Sequence, residues 1–409
     1  MSSSPLLAGP PTLTPFDRTR WVLQCPSGHQ LLLNAPGAEL LTLLTEAPTL
    51  ERCCASFNLR YAAALTLPEF EHLVQARFGG YRLLAGENSA LRPPVNHHIQ
   101  LRLQLLSPSW AGRLAAPLTW LYSPSIFWPL LAVLTLALAL LCWVGSTGLS
   151  LHTGVALVGL FYGSVLVHEL GHIAACRRAG LAHGGIGVGF YLLVPVLYAD
   201  VTAIWQASRH QRIIANLGGI YSQLLYGALV ATAGLALHAP AWVLTAQAVA
   251  ASAAWQLNPF VRHDGYWLIA DFTNTPNLLL KAQQVRQRLL SRPFLATLRS
   301  GGGAALLGPK WGWLLAYGTV NTLVLVAFLA LLVKSAGPTI LHLPYLLAGL
   351  VQKACAGSLA KQDFTASIIT ALAFYGILFR MLLLPYIGKG IGFWHRATSF
   401  ILSTSPERA

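Results

Sequence analysis

The sequence predicts an all-α polytopic membrane protein with about six transmembrane helices, preceded by a small α+β domain. Of its residues, 55% are hydrophobic and only 10% are charged, whereas about a quarter are charged in soluble globular domains. The mean hydropathy is +0.57, and the apolar residues gather in runs near the roughly 20 residues that a helix needs to cross a bilayer. The first 123 residues are mostly polar and form a separate region.

The chain is basic, with 27 Lys and Arg against 13 Asp and Glu. Hardly any of these basic residues form runs, and most lie in polar connections, as expected for loops that stay in the cytoplasm. We therefore expect the lipid bilayer, and no nucleic acid, as a partner. The six cysteines include no C-x-x-C pair and are interpreted as small buried hydrophobic residues. The first 20 residues lack the pattern of a cleavable signal peptide, so a cytoplasmic N-terminus is expected.

Residues 1–123 are expected to fold in the cytoplasm. Two strands are predicted at 21–24 and 30–34, joined by a turn, and three helical patterns follow. A hairpin, three helices and a last strand form a winged-helix-like pattern over about residues 20–85, with a linker after it. The predicted helices are 36–44, 50–57 and 68–78, and the last strand is 81–84.

Six apolar segments are long enough to be membrane spans. A further apolar segment, 340–351, is short and would be either re-entrant or a seventh span. Basic residues gather in the connections after the second and fourth spans, whereas the connections after the first and third have none; the former are therefore expected to be cytoplasmic. The predicted spans are 125–145, 151–176, 213–237, 241–257, 311–333 and 368–384.

These spans divide the rest of the chain into regions. A transmembrane core, 124–272, follows the N-terminal region, and its Gly-rich segment 184–200 is expected to form strands or a re-entrant loop near the membrane interface. A basic cytoplasmic connection, 273–310, leads to C-terminal transmembrane helices at 311–388 and a tail at 389–409.

The second predicted span carries the pentapeptide His168-Glu169-Leu170-Gly171-His172. Ionisable groups at membrane depth cost free energy and are typically retained for function. Positions i and i+4 share one face of a helix, so both imidazoles could coordinate one metal ion with Glu169 beside it. Zinc held by histidines makes a bound water acidic enough to attack at neutral pH, and a nearby carboxylate can take its proton. The competing interpretation is a chance match in a soluble loop or a structural metal site.

A catalytic zinc ion usually has three protein ligands and one open position, so a third ligand is expected at the same depth. His168 lies about 17 residues, and Asp264 about 23 residues, after the start of its predicted span, which places both towards the same leaflet. Pro259 would break the helix, and Gly265 would allow a tight turn that aims Asp264 at the metal. A helix-capping role for Asp264, or ligation by His263 instead, are the alternatives.

These motifs resemble the site-2 protease family of intramembrane zinc metalloproteases, and in particular its bacterial branch of peptide zinc metalloproteases. The likeness covers about residues 95–285. It is carried by the HELGH helix and by the later run Asn258-Pro259-Phe260 with Asp264-Gly265-Tyr266-Trp267-Leu268. The resemblance implies one zinc ion per chain, a multi-pass protein of the bacterial plasma membrane, and cleavage of a peptide or membrane-associated protein, including maturation or export of a ribosomally made peptide.

The resemblance also assigns roles to individual residues. His168, His172 and Asp264 would ligate zinc, and Glu169 would be the general base and acid. Relatives carry Ala-Gly-Pro followed by Asn in the third span, where this chain reads Leu217-Gly218-Gly219-Ile220-Tyr221-Ser222-Gln223. The residues expected to contact substrate are Asn216, Gln223, Asn258 and Tyr191.

The N-terminal region more weakly resembles winged-helix domains that bind the leader peptides of ribosomally made, modified peptides. The similarity covers about residues 21–84 and implies that a peptide adds as a strand to the edge of the sheet. A cap that only packs on the membrane domain is an equal alternative.

Two other functions fit parts of the pattern. A non-catalytic membrane receptor or exporter component with a relict metal site needs ligands but no adjacent base, and Glu169 argues against it. A di-iron lipid desaturase or hydroxylase needs several His-rich boxes, whereas the remaining histidines are scattered.

Overall fold

The computed structural model describes residues 6–86, 99–143, 151–191, 194–289 and 310–356, together with Ser358. These residues divide into two compact units. The first contains the described residues up to Pro276 except Phe190–Pro195, and the second contains Phe190–Pro195 and the described residues from Asn277 onward.

The first unit begins with a three-stranded antiparallel sheet followed by three helices. Strand β2 is central and pairs with both β1 and β3. The side chain of Asn34 caps α1 and that of Thr49 caps α2, by accepting hydrogen bonds from free backbone N–H groups in the first turn. The elements are β1 (Thr12–Pro15), β2 (Arg20–Gln24), β3 (Gln30–Asn34), α1 (Ala35–Glu46), α2 (Leu50–Tyr61) and α3 (Leu67–Phe78).

The predicted hairpin and three helices of this region are confirmed, and strand β1 is an addition that the sequence analysis missed. The strand predicted at 81–84 is wrong: Leu84 forms a single bridge to Leu7. Arg82 explains this because its φ of 56° is left-handed and interrupts an extended backbone. The winged-helix-like topology stays a prediction.

The expected linker up to residue 123 contains regular structure in the part described. Strand β4 (Ile99–Leu106) leads through the cap residue Ser107 into helix α4 (Pro108–Ala115) and then a 3-10 helix (Ala116–Tyr122). The sequence analysis had assigned this segment to a linker. Its strand finds its partners far along the chain, in a sheet with the order β4-β5-β6, where β5 is Ile186–Tyr191 and β6 is Val194–Ala199. The Gly-rich segment 184–200 therefore forms strands, one of the two expected outcomes.

Among the described residues, four helices are long and apolar enough to cross a membrane, namely Pro124–Trp143, Leu157–Arg178, Arg209–Ala236 and Trp311–Phe328. The fourth predicted span forms a helix of 17 residues, at the lower limit for crossing a bilayer. The predicted span 368–384 lies outside the described residues. The helices of the first unit that follow α4 are α5 (Pro124–Trp143), α6 (Leu151–Arg178), α7 (Arg209–Ala236), α8 (Pro240–Gln256) and α9 (Asp264–Phe272), with a 3-10 helix (Thr202–Gln206) before α7.

Helix α7 is the central helix of the membrane bundle. In its most apolar stretch 67% of the residues are buried, against 33% for α6 and 17% for α5, and it packs against α5, α6, α8 and α9. Its contact with α6 is made by backbone, because a Cβ atom on Gly171 would lie 2.3 Å from the Gly218 carbonyl oxygen. The helix that bears the HELGH motif thus lies directly against the centre of the bundle.

The second unit contains helix α10 (Leu278–Leu289) packed against a long helix α11 (Trp311–Cys355). Arg286 donates a hydrogen bond to the Thr322 hydroxyl between them. The helix that contains the predicted span 311–333 has 45 residues in all and includes the segment 340–351, and its part apolar enough to cross a membrane is Trp311–Phe328. That segment is therefore part of a continuous helix rather than a separate element.

Candidate metal centre

Three side chains predicted as zinc ligands converge in the first unit. His168 and His172 lie on α6, and Asp264 is the first residue of α9. The two Nε2 atoms are 3.2 Å apart, and Asp264 Oδ2 lies 3.1 Å from the first and 3.4 Å from the second. Within the part of the chain that the structure describes, this is the group of His, Cys, Asp and Glu residues that could hold a metal ion.

The partners of the two imidazoles fix which nitrogen faces the cluster. His172 Nδ1 lies 2.8 Å from the Ala215 carbonyl oxygen, which can only accept, so Nδ1 carries the proton. His168 Nδ1 lies 3.2 Å from Gln223 Oε1 and donates to it in the same way. In a neutral imidazole, the form that binds a metal, the other nitrogen then has a free lone pair, and both Nε2 atoms face the cluster.

The orientation of Gln223 supports this assignment. Its Nε2 atom lies 3.4 Å from the hydroxyl oxygens of both Ser164 and Ser252, which leaves its carbonyl oxygen for His168. Gln223 is 1% exposed and Ser164 is 0% exposed. Hydrogen bonds of this kind, from the far nitrogen of a ligating histidine, orient metal ligands in proteins.

The dimensions of the cluster suit a tetrahedral metal ion. Zinc–nitrogen and zinc–oxygen bonds near 2.0 to 2.1 Å place tetrahedral ligand atoms about 3.3 Å apart, close to the observed separations of 3.1 to 3.4 Å. Asp264 Oδ2 is buried without a hydrogen-bond donor among the described residues. Three lone pairs that meet in a buried place without a proton repel one another, and a cation would remove that repulsion. The residues present therefore fit zinc.

Space beside the two imidazoles depends on Gly219 of α7. A Cβ atom at this position would lie 2.4 Å from His168 Nε2 and 2.5 Å from His172 Nε2, which no real side chain tolerates. The glycine keeps the surface of α7 open where the two ligand atoms meet. The sequence analysis noted the Gly218-Gly219 pair only as a departure from the family pattern.

Asp264 reaches the cluster because the chain turns tightly after α8. Asn258 accepts a hydrogen bond from the Phe260 backbone N–H at 2.9 Å and so closes the turn on itself. Gly265 then approaches Leu257 so closely that a Cβ atom would lie 2.1 Å from the Leu257 carbonyl oxygen. Gly265 does not have a positive φ, so glycine is required here by the close approach to Leu257 and not by a left-handed backbone. The expected effect, aiming Asp264 back at α6, is the same.

A second acidic residue of α9 fixes the helix on its other side. Asp271 accepts hydrogen bonds from Arg212 Nε at 2.6 Å and from Asn216 Nδ2 at 2.8 Å. The Arg212 guanidinium is buried, with 1% of the residue exposed. Neither Arg212 nor Asp271 was singled out for a role, although an arginine and an aspartate at the ends of two apolar helices are a usable signal.

The other predicted residues have varied surroundings. Glu169 is 9% exposed and follows His168 on α6, in the helical turn that carries both imidazoles. The residues expected to contact substrate are bound within the fold: Asn216 to Asp271, Gln223 to His168, and Asn258 to its own turn. Tyr191 ends strand β5. His263 is the residue before α9 and is not in the cluster.

Comparisons of this chain with protein-family models, with curated protein sequences and with solved structures found no match.

Proposed function

We propose that this protein is a zinc-dependent intramembrane endopeptidase of the site-2 protease type, in a bacterial plasma membrane with its N-terminus in the cytoplasm. The observation that carries the proposal is the convergence of His168, His172 and Asp264 with lone pairs facing inward, on helices apolar enough to cross a membrane. A purely structural cluster would not require a carboxylic acid next to it, and Glu169 stands there in the first unit's buried interior.

The residues of the chain divide the chemistry among them. A zinc ion held by the three ligands would supply the Lewis acid that activates water for peptide hydrolysis. Glu169 takes the proton of the attacking water and delivers it to the departing amine. The hydrogen bonds from His168 to Gln223 and from His172 to Ala215 hold both imidazoles in place while the charges change. The surrounding apolar helices restrict water to what the reaction uses.

A substrate must lie extended to be cut, because a helix hides its carbonyl groups in its own hydrogen bonds. The sheet with the order β4-β5-β6 offers a place for such a strand, since β6 lies at one of its edges and follows α6 in the chain. Pairing of a peptide with this edge would supply backbone hydrogen bonds without sequence preference. Peptide and membrane-associated proteins with an unwound segment are therefore the proposed substrates, and a leader peptide on the N-terminal domain is a further proposed partner.

The Glu169→Gln variant tests this proposal. It keeps the three ligands, so we expect about one zinc ion per chain by metal analysis. We expect cleavage of a mixed peptide library, followed by mass spectrometry, to fall by at least about 100-fold, which is the usual minimum contribution of a general base. His168→Ala is the matched control that should lose both zinc and cleavage. Full cleavage by Glu169→Gln would exclude Glu169 as the base. Absence of cleavage by zinc-loaded wild-type protein would exclude the enzyme and favour a relict metal site in a receptor or exporter component.

A further inference from the structure

We propose that the N-terminal domain is a positioning part of the metal centre, through a docking loop of Phe16, Asp17 and Arg20 that holds helix α9 and with it the ligand Asp264. The inference rests on the proposed function for the identity of the metal. It gives the N-terminal domain a role that does not depend on binding any peptide. Three separate contacts of the loop carry it.

The first contact covers a buried charge. The guanidinium carbon of Arg212 lies 3.9 Å from the centroid of the Phe16 ring, and Phe16 is 6% exposed. Arg212 also donates to Asp271 at 2.6 Å and to the Ala207 carbonyl oxygen at 2.9 Å. Its Nη2 atom is buried without a hydrogen-bond acceptor among the described residues. The aromatic face of Phe16 supplies the remaining electrostatic partner.

The second contact is made at the end of α9. Asn274 has a left-handed φ of 51° just after the helix, and its side chain turns towards the N-terminal domain. Asn274 Nδ2 donates to Asp17 Oδ2 at 2.9 Å, and Asn274 Oδ1 accepts from Arg20 Nη2 at 2.9 Å. Arg20 and Asp17 also form an ion pair with each other.

The charge on Asp17 is stable in this arrangement. Burial acts to raise its pKa, but hydrogen bonds from neighbouring groups outweigh burial and hold the pKa of Asp17 below its ordinary value of 3.8. Since a lowered pKa keeps the carboxylate ionised in the folded state, its contribution to docking is complete above about pH 4 and is lost only as the pH falls further. The groups that lower the pKa are Arg20, Thr19 and Asn274.

The third contact runs through aromatic rings to the middle of α9. Phe16 stacks on Trp205 with ring centroids 5.8 Å apart. Trp205 in turn meets Trp267 of α9 edge to face at 6.3 Å. The docking loop therefore supports α9 along its length as well as at its end.

Support of this kind has a purpose because α9 is short. It has nine residues, fewer than an isolated helix needs to be stable in water. Its first residue must nevertheless hold a carboxylate oxygen within a few tenths of an ångström of a metal position. The turn at Gly265 fixes the start of α9, and Asp271 with the docking loop fixes the rest. Loosening the loop should then weaken metal binding without touching a ligand.

Two variants of the full-length protein test this inference. Asn274→Gly removes both side-chain hydrogen bonds while glycine keeps the left-handed backbone. Phe16→Leu removes the aromatic face under Arg212. We expect each to raise the zinc dissociation constant, measured by chelator competition, about 10-fold, as changes of outer-shell partners do. In zinc-free protein we expect amide hydrogen exchange to quicken about fivefold in residues 264–272 but not in residues 168–176, because each change removes interactions of one hydrogen bond's size.

Phe57→Leu is the matched control. Phe57 packs against Tyr61 and Phe70 inside the N-terminal domain, so this change weakens the domain without touching the docking loop. We expect zinc affinity within about twofold of the wild type. The inference is wrong if wild-type protein binds zinc and the two docking variants bind it as tightly, or if Phe57→Leu weakens it equally. If wild-type protein binds no zinc, the proposed function fails instead, and exchange in residues 264–272 alone decides the inference.

Discussion

Helix α7 borders two buried polar clusters that differ in how their charges are matched. In the first, Arg212 and Asp271 form an ion pair, Asn216 and the Ala207 carbonyl add hydrogen bonds, and the Phe16 ring lies against the guanidinium, whose Nη2 has no acceptor among the described residues. In the second, acceptor atoms of His168, His172 and Asp264 face one another without a donor. Burial of polar groups is therefore not in itself a sign of function. The matched set indicates a structural role, whereas the set of acceptors without a donor supports the proposed zinc ion.

The largest effect is expected from a substitution that fills the space beside the two imidazoles, where the proposed zinc ion would bind. A methyl group at Gly219 would lie 2.4 Å from one imidazole nitrogen, so Gly219→Ala should force the ligands apart. We expect zinc content to fall from about one ion per chain to near zero in metal analysis, because structural ligand distances tolerate only about 0.2 Å.

The control for this change is Gly159→Ala on α6, where a Cβ atom meets nothing within 4 Å. It should keep full zinc content. Equal zinc content in Gly219→Ala and Gly159→Ala would mean that the metal is not held between the two imidazoles.

The second prediction concerns the matched cluster. Arg212→Met leaves Asp271 as a buried charge without its ion-pair partner and should lower the free energy of unfolding in a denaturant titration by about 3 to 5 kcal/mol. The double variant Arg212→Met with Asp271→Leu should recover most of this loss, because it removes both charges. A double variant no more stable than the single one would contradict the structural role of the pair.

A smaller effect is expected for Gln223, which bonds His168 on one side and the hydroxyl groups of Ser164 and Ser252 on the other. Gln223→Leu removes the acceptor of His168 Nδ1 but no ligand, so zinc should bind about 10-fold more weakly in chelator competition. Ser252→Ala is the control, since it removes a partner of Gln223 from the opposite side and should change zinc affinity less. A normal zinc affinity in Gln223→Leu would show that His168 is oriented by packing alone.

The two halves of the candidate metal centre were not equally predictable from the sequence. His168 and His172 are four residues apart on one helix, so their shared face follows from helix geometry. Asp264 is far along the chain, and only the estimate of depth and the turn at Gly265 indicated it. The closeness of all three is confirmed, whereas zinc itself, Glu169 as the base and the protease activity stay predictions.

What the sequence did not reveal depends on contacts between distant segments. Strand β4 alternates apolar and polar residues from Ile99 to Leu105, a pattern that predicts a strand and that the sequence analysis missed; only its partners β5 and β6 could not be read from it. The docking loop is made of common residue types. Their role depends on Asn274, which lies 257 residues after Asp17 in the chain. The interpretation of the N-terminal domain as a cap on the membrane domain gains support from these contacts, while peptide binding there stays a prediction.

The backbone contact between Gly171 and Gly218 has a consequence for how the protein meets bilayers of different thickness. Two helices that touch through main-chain atoms lose this close packing if they separate, so we expect α6 and α7 to tilt together. Mismatch between helix length and lipid thickness is ordinarily absorbed by tilting or by local deformation of the bilayer. The positions of the two imidazoles of α6 relative to Gly219 and Gln223 of α7 would thereby depend less on the thickness of the surrounding lipid.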